Sequence, residues 1–192
     1  LDNGNAAVQA LNVGDTLTDS FGVTSIDGTS QTISITIDGT NDAAVLTADT
    51  VGLAETNAVL STSGDLGISD VDNPANFVAQ AGTAGTHGSF SIDAAGAWSY
   101  TAGSAHDEFV AGTTYTDSFS VAAVDGTITT VTINILGTND AAVIGGTVSG
   151  SVIEAGGVAN GTANTPTATG TLAAADVDNA DDSFAVVSAP TL

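Results

Sequence analysis

The chain has 192 residues, with 22 carboxylates, two histidines and neither lysine nor arginine, so its formal net charge at pH 7 is −22. A uniformly anionic surface repels nucleic-acid phosphates and anionic lipid headgroups, and it offers none of the basic contacts on which such binding depends. The composition therefore excludes nucleic-acid and membrane-surface roles, and it makes metal cations the natural counterweight to the self-repulsion of the folded chain.

The sequence repeats itself at a spacing of 98 residues. Three motifs recur at that spacing, namely TDSF at 18–21 and 116–119, DGT at 27–29 and 125–127, and GTNDAAV at 39–45 and 137–143. We call residues 39–45 the first linker and residues 137–143 the second linker. After each linker the correspondence continues with small insertions, from Glu55 to Glu154 and from DVDN at 70–73 to DVDN at 176–179.

An internal repeat of this length predicts a tandem array of one structural unit. We expect 1–42 to be the C-terminal part of a repeat, 43–140 a complete repeat, and 141–192 the N-terminal part of a following repeat. Because the sequence also contains no methionine, we expect it to be a piece of a longer protein. Either a long tandem array or neighbouring chains would then complete the partial repeats.

Apolar and polar residues alternate with a period of two in the complete repeat, which is typical of β-strands with one buried face. In chain order the pattern predicts strands at 43–47, 63–69, 76–80, 88–92, 97–101, 114–124 and 128–136. Seven short strands without a helical period predict an all-β fold, a tandem antiparallel β-sandwich of immunoglobulin or cadherin type with about 98 residues in each repeat. The residues expected inside are Phe90, Trp98, Phe119, Val121, Val131 and Ile133.

The carboxylates gather at the predicted ends of strands and around the two linkers. Since successive loops of a sandwich alternate between its two poles, residues that are distant in sequence converge there. At the first linker we expect Asn41, Asp42, Glu55, Asp70 and Asp72, with Asp27 from the preceding copy. At the second linker we expect Asn139, Asp140, Glu154, Asp176 and Asp178, with Asp125 from the complete copy.

These residues supply the ligands that calcium prefers. Ca²⁺ takes six to eight oxygens from carboxylates, amides and backbone carbonyls, in flexible geometry. Taken singly, Asp-Gly and Asn-Asp pairs are turn formers whose side chains bond their own backbone. Their repetition in register, in a chain without a basic side chain, favours metal binding over simple turn formation, and the predicted cofactor is Ca²⁺.

Several motifs together resemble the VCBS repeat of giant repetitive bacterial surface proteins, many of them RTX-type adhesins exported by type I secretion. They are GTND closing a strand, GTHGSFSIDAAGAWSYT at 85–101, and the series TDSF, DGT and VTINILGTND that ends at Asp140. The resemblance covers essentially the whole chain. It implies a cadherin-like sandwich, an extracellular location and calcium-rigidified linkers.

Two departures from that family affect the calcium inference. Ala43-Ala44 and Ala141-Ala142 stand where the commonest form has Ala-Pro, which implies a linker that is less stiff without metal. The RTX nonapeptide is absent from this sequence. The expectation of calcium therefore depends on the cadherin-like positions alone.

We expect no enzymatic activity. The absence of cysteine excludes cysteine nucleophiles and zinc thiolate sites. His87 and His106 each occur in only one visible copy, and the neighbours His106 and Asp107 do not make a triad without the required spatial geometry. Paired carboxylates serve glycosidases, but repetition of the same carboxylates in successive copies favours a structural duty.

Two classes of function remain. The first is a structural repeat segment of a secreted bacterial surface protein, a calcium-rigidified extender rod or fibre for cell adhesion and biofilm. Its partners would be calcium, neighbouring repeats and identical chains in a fibre or sheath, without nucleic acid or membrane insertion. The alternative is a carbohydrate- or host-protein-binding module, in which Trp98 and Tyr100 form a sugar-stacking platform. Their alternation with Ser99 and Thr101 favours core packing and hence the first hypothesis.

Overall fold

The computed structural model describes residue 2, residues 4–152 and residues 168–185. Within these ranges the chain is nearly all β, with one short helix and thirteen strands. The helix is α1 (Ala6–Gln9), and the strands are β1 (Thr16–Thr24), β2 (Ser30–Asp38), β3 (Val45–Leu46), β4 (Asp49–Ala54), β5 (Ser61–Asp65), β6 (Ile68–Ser69), β7 (Gln80–Ala84), β8 (Gly88–Ile92), β9 (Ala97–Ala102), β10 (Thr114–Ala122), β11 (Ile128–Leu136), β12 (Val143–Gly146) and β13 (Leu172–Ala175). No helix in the described ranges is long and apolar enough to cross a membrane.

Residues 49–136 fold as a sandwich of two main sheets. One sheet has the strand order β10-β11-β4 and the other has the order β5-β9-β8-β7. Alternating residues of both sheets point inward, and Phe90 of β8 stacks on Phe119 of β10 with ring centroids 4.8 Å apart. The six residues expected in the core are all buried, which confirms the predicted inward face of these strands. The cadherin-like β-sandwich expected from the sequence is thus confirmed.

Some predicted strands differ from the observed ones. Strands 88–92 and 128–136 match β8 and β11, whereas the span 63–69 is split by a break between β5 and β6. The strand expected at 76–80 begins only at Gln80, and Phe77 makes an isolated bridge to Ala123. The backbone of this segment bonds to two different neighbours and so forms no continuous ladder. Phe77 N donates to the Ala94 carbonyl, and Val78 N donates to the carbonyl of Ala122 at the end of β10.

Strand β4 was not predicted, and it forms the one parallel pairing among the described residues, whereas the other strand pairings are antiparallel. It runs parallel to β11, with Val51 opposite Ile133 and Leu53 opposite Ile135. Its last hydrogen bond is donated by Glu55 N to the Leu136 carbonyl oxygen over 2.8 Å. Strand β4 therefore delivers Glu55 to the end of β11, where the second linker begins.

The sequence repeat is reproduced in the strand pairing. Strands β1 and β2 pair from Thr16–Asp38 to Thr24–Ser30, and β10 and β11 have the same register 98 residues later. The inward face is covered in only one of the two hairpins, since Phe119 is 4% exposed and its counterpart Phe21 is 49% exposed. The first hairpin therefore presents an apolar face that the described residues leave open.

The start of the repeat also recurs. Val45 of β3, the last residue of the first linker, pairs with Ser69 of β6. Val143 of β12, the last residue of the second linker, pairs with Ala175 of β13. Each linker thus ends in the same antiparallel pairing, which brings the DVDN segment close to the linker in both places.

Candidate metal centres

Three carboxylates form a cluster at the second linker. Glu55 follows β4, Asp107 lies in the loop between β9 and β10, and Asp140 lies in the linker that follows β11. One oxygen from each of them lies within 4.8 Å of one oxygen of each of the others. We call Glu55, Asp107 and Asp140 the carboxylate cage.

Two residues of the cage are buried, Asp107 is half-buried, and the three carboxylates are only partly hydrogen-bonded. Glu55 is 2% exposed and Asp140 is 8% exposed. Thr138 Oγ1 donates to Glu55 Oε2 over 2.7 Å, and Asn57 Nδ2 donates to Asp140 Oδ1 over 2.6 Å. The other carboxylate oxygen of each, together with Asp107 Oδ1, is buried without a hydrogen-bond partner among the residues that the structure describes.

This arrangement has the chemistry of a hard-cation site. Burying carboxylates close together is costly unless an opposite charge compensates them. The chain has no lysine or arginine to provide that charge. Free buried oxygens on three carboxylates match the preference of Ca²⁺ for oxygen ligands. The residues present therefore fit a bound calcium ion.

The segment that follows the second linker reaches back to the cage. Asp140 N donates to Asp178 Oδ1 over 3.3 Å, and Asp178 is buried. Asp176 shares a hydrogen bond with Asp178, which raises the pKa of Asp176, and burial raises it further. Asn139 Nδ2 donates to the Asp140 carbonyl oxygen over 2.6 Å and so shapes the linker itself.

The first linker has the same contact with the DVDN segment that follows it. Asp42 N donates to Asp72 Oδ2 over 2.9 Å, which is the counterpart of the contact from Asp140 to Asp178. Asp70 Oδ1 accepts hydrogen bonds from Asp72 N and Asn73 N. Burial raises the pKa of Asp70, but these backbone donors outweigh it and the net shift is downward.

The structure places Asp125 at the first linker, and the expectation that it joins the second linker is wrong. Asp125 Oδ2 accepts a hydrogen bond from Ala44 N over 2.9 Å. Bonds from the Thr127 hydroxyl, Ala44 N and Thr127 N lower the pKa of Asp125 to about 2, with a smaller contribution from Asn41. The reason is the length of β11, whose nine residues separate the Asp-Gly turn from the linker that follows by about 30 Å.

For the same reason Asp27 does not lie at the first linker, where we expected it. Asp27 lies in the turn between β1 and β2, at the end of the hairpin away from that linker. Its carboxylate accepts from the Ser25 hydroxyl and, over 3.0 Å, from Thr29 N. These local bonds, the Ser25 hydroxyl foremost, lower the pKa of Asp27 to about 2. The contacts of the Asp27 carboxylate are therefore those of a turn-forming residue.

The expected place of Glu55 is also wrong. Sequence proximity assigned it to the first linker, but the parallel strand β4 carries it across the domain to the second. The expectation for Glu154 lies outside the described residues. At the first linker the structure thus brings together Asn41, Asp42, Asp70, Asp72 and Asp125, and at the second linker Glu55, Asn139, Asp140, Asp176 and Asp178.

Asp107 is the cage member that the sequence analysis missed. It was considered only as a neighbour of His106 in a catalytic pair. The available signal was the acidic pair Asp107-Glu108 in a loop that precedes a long strand. The residue 98 positions earlier is Gln9, so no carboxylate recurs at this position and the repeat gave no indication of a metal ligand.

Among the described residues, neither ring nitrogen of His106 bonds to a hydroxyl group that could act as a nucleophile. Its Nδ1 lies 2.8 Å from Glu108 Oε1, and its Nε2 lies 2.7 Å from the His87 carbonyl oxygen. Burial lowers the pKa of His106, but the bonds to Glu108 and His87 outweigh it and the net shift is upward. The bond to His106 lowers the pKa of Glu108. The ring is a hydrogen-bonded part of the loop that carries Asp107.

Two comparisons with known proteins bear on this geometry. The sequence model of the bacterial cadherin-like domain matches residues 41–137, just over half of the chain. A comparison with curated proteins gives no match.

Proposed function

The chain belongs to the bacterial cadherin-like domain family, and from this premise we propose that it is a structural repeat segment of a secreted bacterial surface protein. In this proposal its repeats form a calcium-rigidified extender rod or fibre for cell adhesion and biofilm. The observation that carries the proposal is the carboxylate cage, in which Glu55 and Asp107 of the complete repeat meet Asp140 of the linker. Asp178 of the following segment is bonded to the same linker residue.

Calcium at the second linker would bind residues from both sides of the linker. Glu55 and Asp107 would provide oxygens from the complete repeat, Asp140 from the linker, and Asp178 from the following segment. Bound Ca²⁺ would supply the positive charge that these residues lack and join the four positions through one ion. The ion would thereby fix the orientation of two successive repeats.

The first linker would hold calcium with a second ligand set. Asn41, Asp42, Asp70, Asp72 and Asp125 lie around this linker, and Asp70 Oδ2 is buried without a hydrogen-bond partner among the described residues. Three of these carboxylates come from loops of the complete repeat, which gather at the pole next to the linker. We include this site in the proposal because its linker repeats the sequence and the backbone contact of the second.

The expected affinity suits extracellular calcium. Extracellular calcium modules bind with dissociation constants of about 10⁻⁴ to 10⁻³ M. A site at tenfold excess of calcium over its dissociation constant stabilises the folded state by about 1.4 kcal/mol. Neutralising carboxylates would also relieve the self-repulsion of a chain with a net charge of −22.

The finer assignment within the family is part of the proposal. The repeated linkers and the 85–101 segment support a VCBS repeat of an RTX-type adhesin, exported to the cell surface by type I secretion. The proposed divisions are 1–42, 43–140 and 141–192, with only the middle one complete. The open apolar face of the β1–β2 hairpin supports this division, because the same face of β10–β11 is buried in the complete repeat.

The competing functions have less support. A sugar-stacking platform requires exposed aromatic rings, but Trp98 is 2% exposed and Tyr100 is 1% exposed. Catalysis requires a nucleophile with a base, whereas the nitrogens of His106 bond to Glu108 and to the His87 carbonyl. The proposed role is therefore structural, without enzymatic activity.

Calcium addition and removal test the proposal directly. The chain is compared in CaCl₂ and in EDTA by small-angle scattering and thermal unfolding. Calcium is expected to raise the melting temperature and to narrow the distribution of overall dimensions, because it fixes the linkers. Asp140→Asn, which removes a cage charge, should reduce both responses.

Asp65→Asn is the matched control, since Asp65 is an exposed carboxylate at the end of β5 and belongs to neither ligand set. It should respond to calcium as the original chain does. If EDTA changes neither the dimensions nor the melting temperature of the original chain, the calcium mechanism is wrong and the linkers are simple turns.

A further inference from the structure

The ring of His106 is fixed on three sides beside the carboxylate cage. Its Nε2 bonds the His87 carbonyl oxygen, and its Nδ1 bonds Glu108. Its face stacks on Phe109, with ring centroids 4.4 Å apart and an interplanar angle of 9°. Phe109 in turn stacks on Tyr115 of β10 at a centroid distance of 3.7 Å. The loop before Asp107 is thus attached to the core through this ring.

The backbone of His106 has an unusual conformation. Its φ is +64°, the one positive φ of a residue other than glycine in the described ranges. Such a conformation is unfavourable for most residues and persists where surrounding contacts hold it. Here it turns the chain immediately before Asp107, whose carboxylate lies in the cage. The turn is held by backbone hydrogen bonds, from Phe109 N to the His106 carbonyl and from His106 N to Ser104 Oγ, together with the contacts of the ring.

The preceding copy shows what the loop does without these contacts. Val8 and Gln9 occupy the positions 98 residues before His106 and Asp107. Both lie in helix α1, so the backbone there is helical rather than left-handed. One backbone hydrogen bond occurs in both copies. Leu11 N donates to the Val8 carbonyl, and Phe109 N donates to the His106 carbonyl. The exchange of Val for His therefore accompanies a different path of the chain.

We propose that His106 is a positioning residue for the metal centre at the second linker. Its ring holds the left-handed turn that directs the Asp107 carboxylate toward Glu55 and Asp140. The inference depends on the proposed calcium function, since it assigns a role within that site. Residues that orient metal ligands without touching the metal commonly change metal affinity by about 10- to 100-fold when they are replaced.

The test is a CaCl₂ titration of the full chain followed by NMR of backbone amides. Asn139 and Asp140 report on the second linker, and Asn41 and Asp42 report on the first. His106→Val, the residue of the preceding copy, should weaken calcium binding at the second linker by about 10- to 100-fold. It should leave the affinity at the first linker unchanged, which makes that linker an internal control.

Two further variants separate positioning from loss of fold. His106→Asn should lose less affinity than His106→Val, because asparagine accepts the left-handed conformation that a β-branched residue disfavours. His106→Ala removes the ring contacts without a β-branch, and it replaces His106→Val if that variant does not fold. Asp107→Asn gives the reference loss of a direct ligand.

The outcomes distinguish the two proposals. If the original chain binds calcium at the second linker and His106→Val or His106→Ala binds it equally well, the positioning role is overturned and the calcium function stands. If the second-linker amides of the original chain do not respond to CaCl₂, the proposed function itself fails.

Discussion

Asp27 and Asp125 show how one residue type in one recurring motif acquires two roles. Both stand in a DGT turn, and hydrogen bonds lower the pKa of each to about 2. Among the described residues, the Asp27 carboxylate bonds within its own turn, to Ser25 and Thr29. Asp125 bonds Thr127 and also Ala44 of the first linker. The DGT motif determines the turn, and the segment packed against the turn determines whether the carboxylate also bonds to a linker.

The titration of Asp27 tests the turn geometry. Its folded pKa of about 2 lies below the ordinary value of 3.8, so its contribution to stability is present above about pH 3.8 and is lost as the pH falls through about 2. A carboxyl-detected NMR titration should show a midpoint near 2. Ser25→Ala, which removes the largest cause, should move the midpoint toward 3.8. A midpoint near 3.8 in the original chain would contradict the described bonds.

At the scale of the strands, the alternation of apolar and polar residues predicted which side chains point inward, but it did not predict every strand pairing. Strands β8, β9, β10 and β11 have clear alternation, and their inward apolar residues are buried as expected, whereas Ile128 and Leu136 at the ends of β11 are exposed. Strand β4 has the sequence DTVGLA, in which only Val51 and Leu53 are large apolar residues, and this signal is too short to predict a strand. Its pairing with β11 follows from the sheet, because β11 has an open edge there.

The fit between β5 and β9 depends on a small residue. Gly64 lies opposite Trp98 in the register, and a methyl group at Gly64 would come within 2.8 Å of the indole ring. Gly64→Ala should therefore destabilise the fold by about 1–3 kcal/mol through overpacking. Urea-induced unfolding followed by Trp98 fluorescence measures this loss.

Gly52 of β4 provides the control for that substitution. A methyl group at Gly52 would meet nothing within 4 Å. Gly52→Ala should be neutral or should stabilise the fold by about 0.4–1 kcal/mol, because it restricts the unfolded chain. Equal effects of the two substitutions would show that Trp98 does not press against β5.

At the scale of the whole molecule, repulsion between carboxylates destabilises the fold. The chain carries a net charge of −22 without a lysine or arginine to form ordinary salt bridges. Repulsion of this kind weakens the compact state unless cations accumulate on the surface or bind at sites. The two linkers concentrate carboxylates further, so repulsion is strongest where repeats meet.

Salt should therefore stabilise the calcium-free chain. The Debye length falls from about 30 Å at 0.01 M to about 10 Å at 0.1 M ionic strength. In EDTA, the melting temperature should rise over this range of NaCl concentration, because repulsion between carboxylates is screened. With saturating CaCl₂ the rise should be smaller, since bound ions already neutralise the linkers. A melting temperature that is independent of NaCl in EDTA would contradict this account.

Much of the candidate site was visible in the sequence, and its wrong assignments have a common cause. The recurring Asn-Asp and DVDN segments identified linker residues that the structure does bring together, such as Asp42 with Asp72 and Asp140 with Asp178. Glu55 and Asp125 were each assigned to the wrong linker, and Asp27 was assigned to a linker that it does not reach. In each case a strand several residues long separates the side chain from the expected linker, and sequence distance does not record that path.

The sequence by itself determined the repeat, the β-sandwich, the inward residues and the acidic linkers. These features depend on local alternation and on recurring motifs, which are present in the order of the residues. Only the tertiary structure decided that β4 pairs parallel to β11, that Asp107 joins Glu55 and Asp140, and that His106 turns the chain before Asp107. These features arise from contacts between segments distant in the chain, because burial and hydrogen bonding across the sandwich select them rather than local preference.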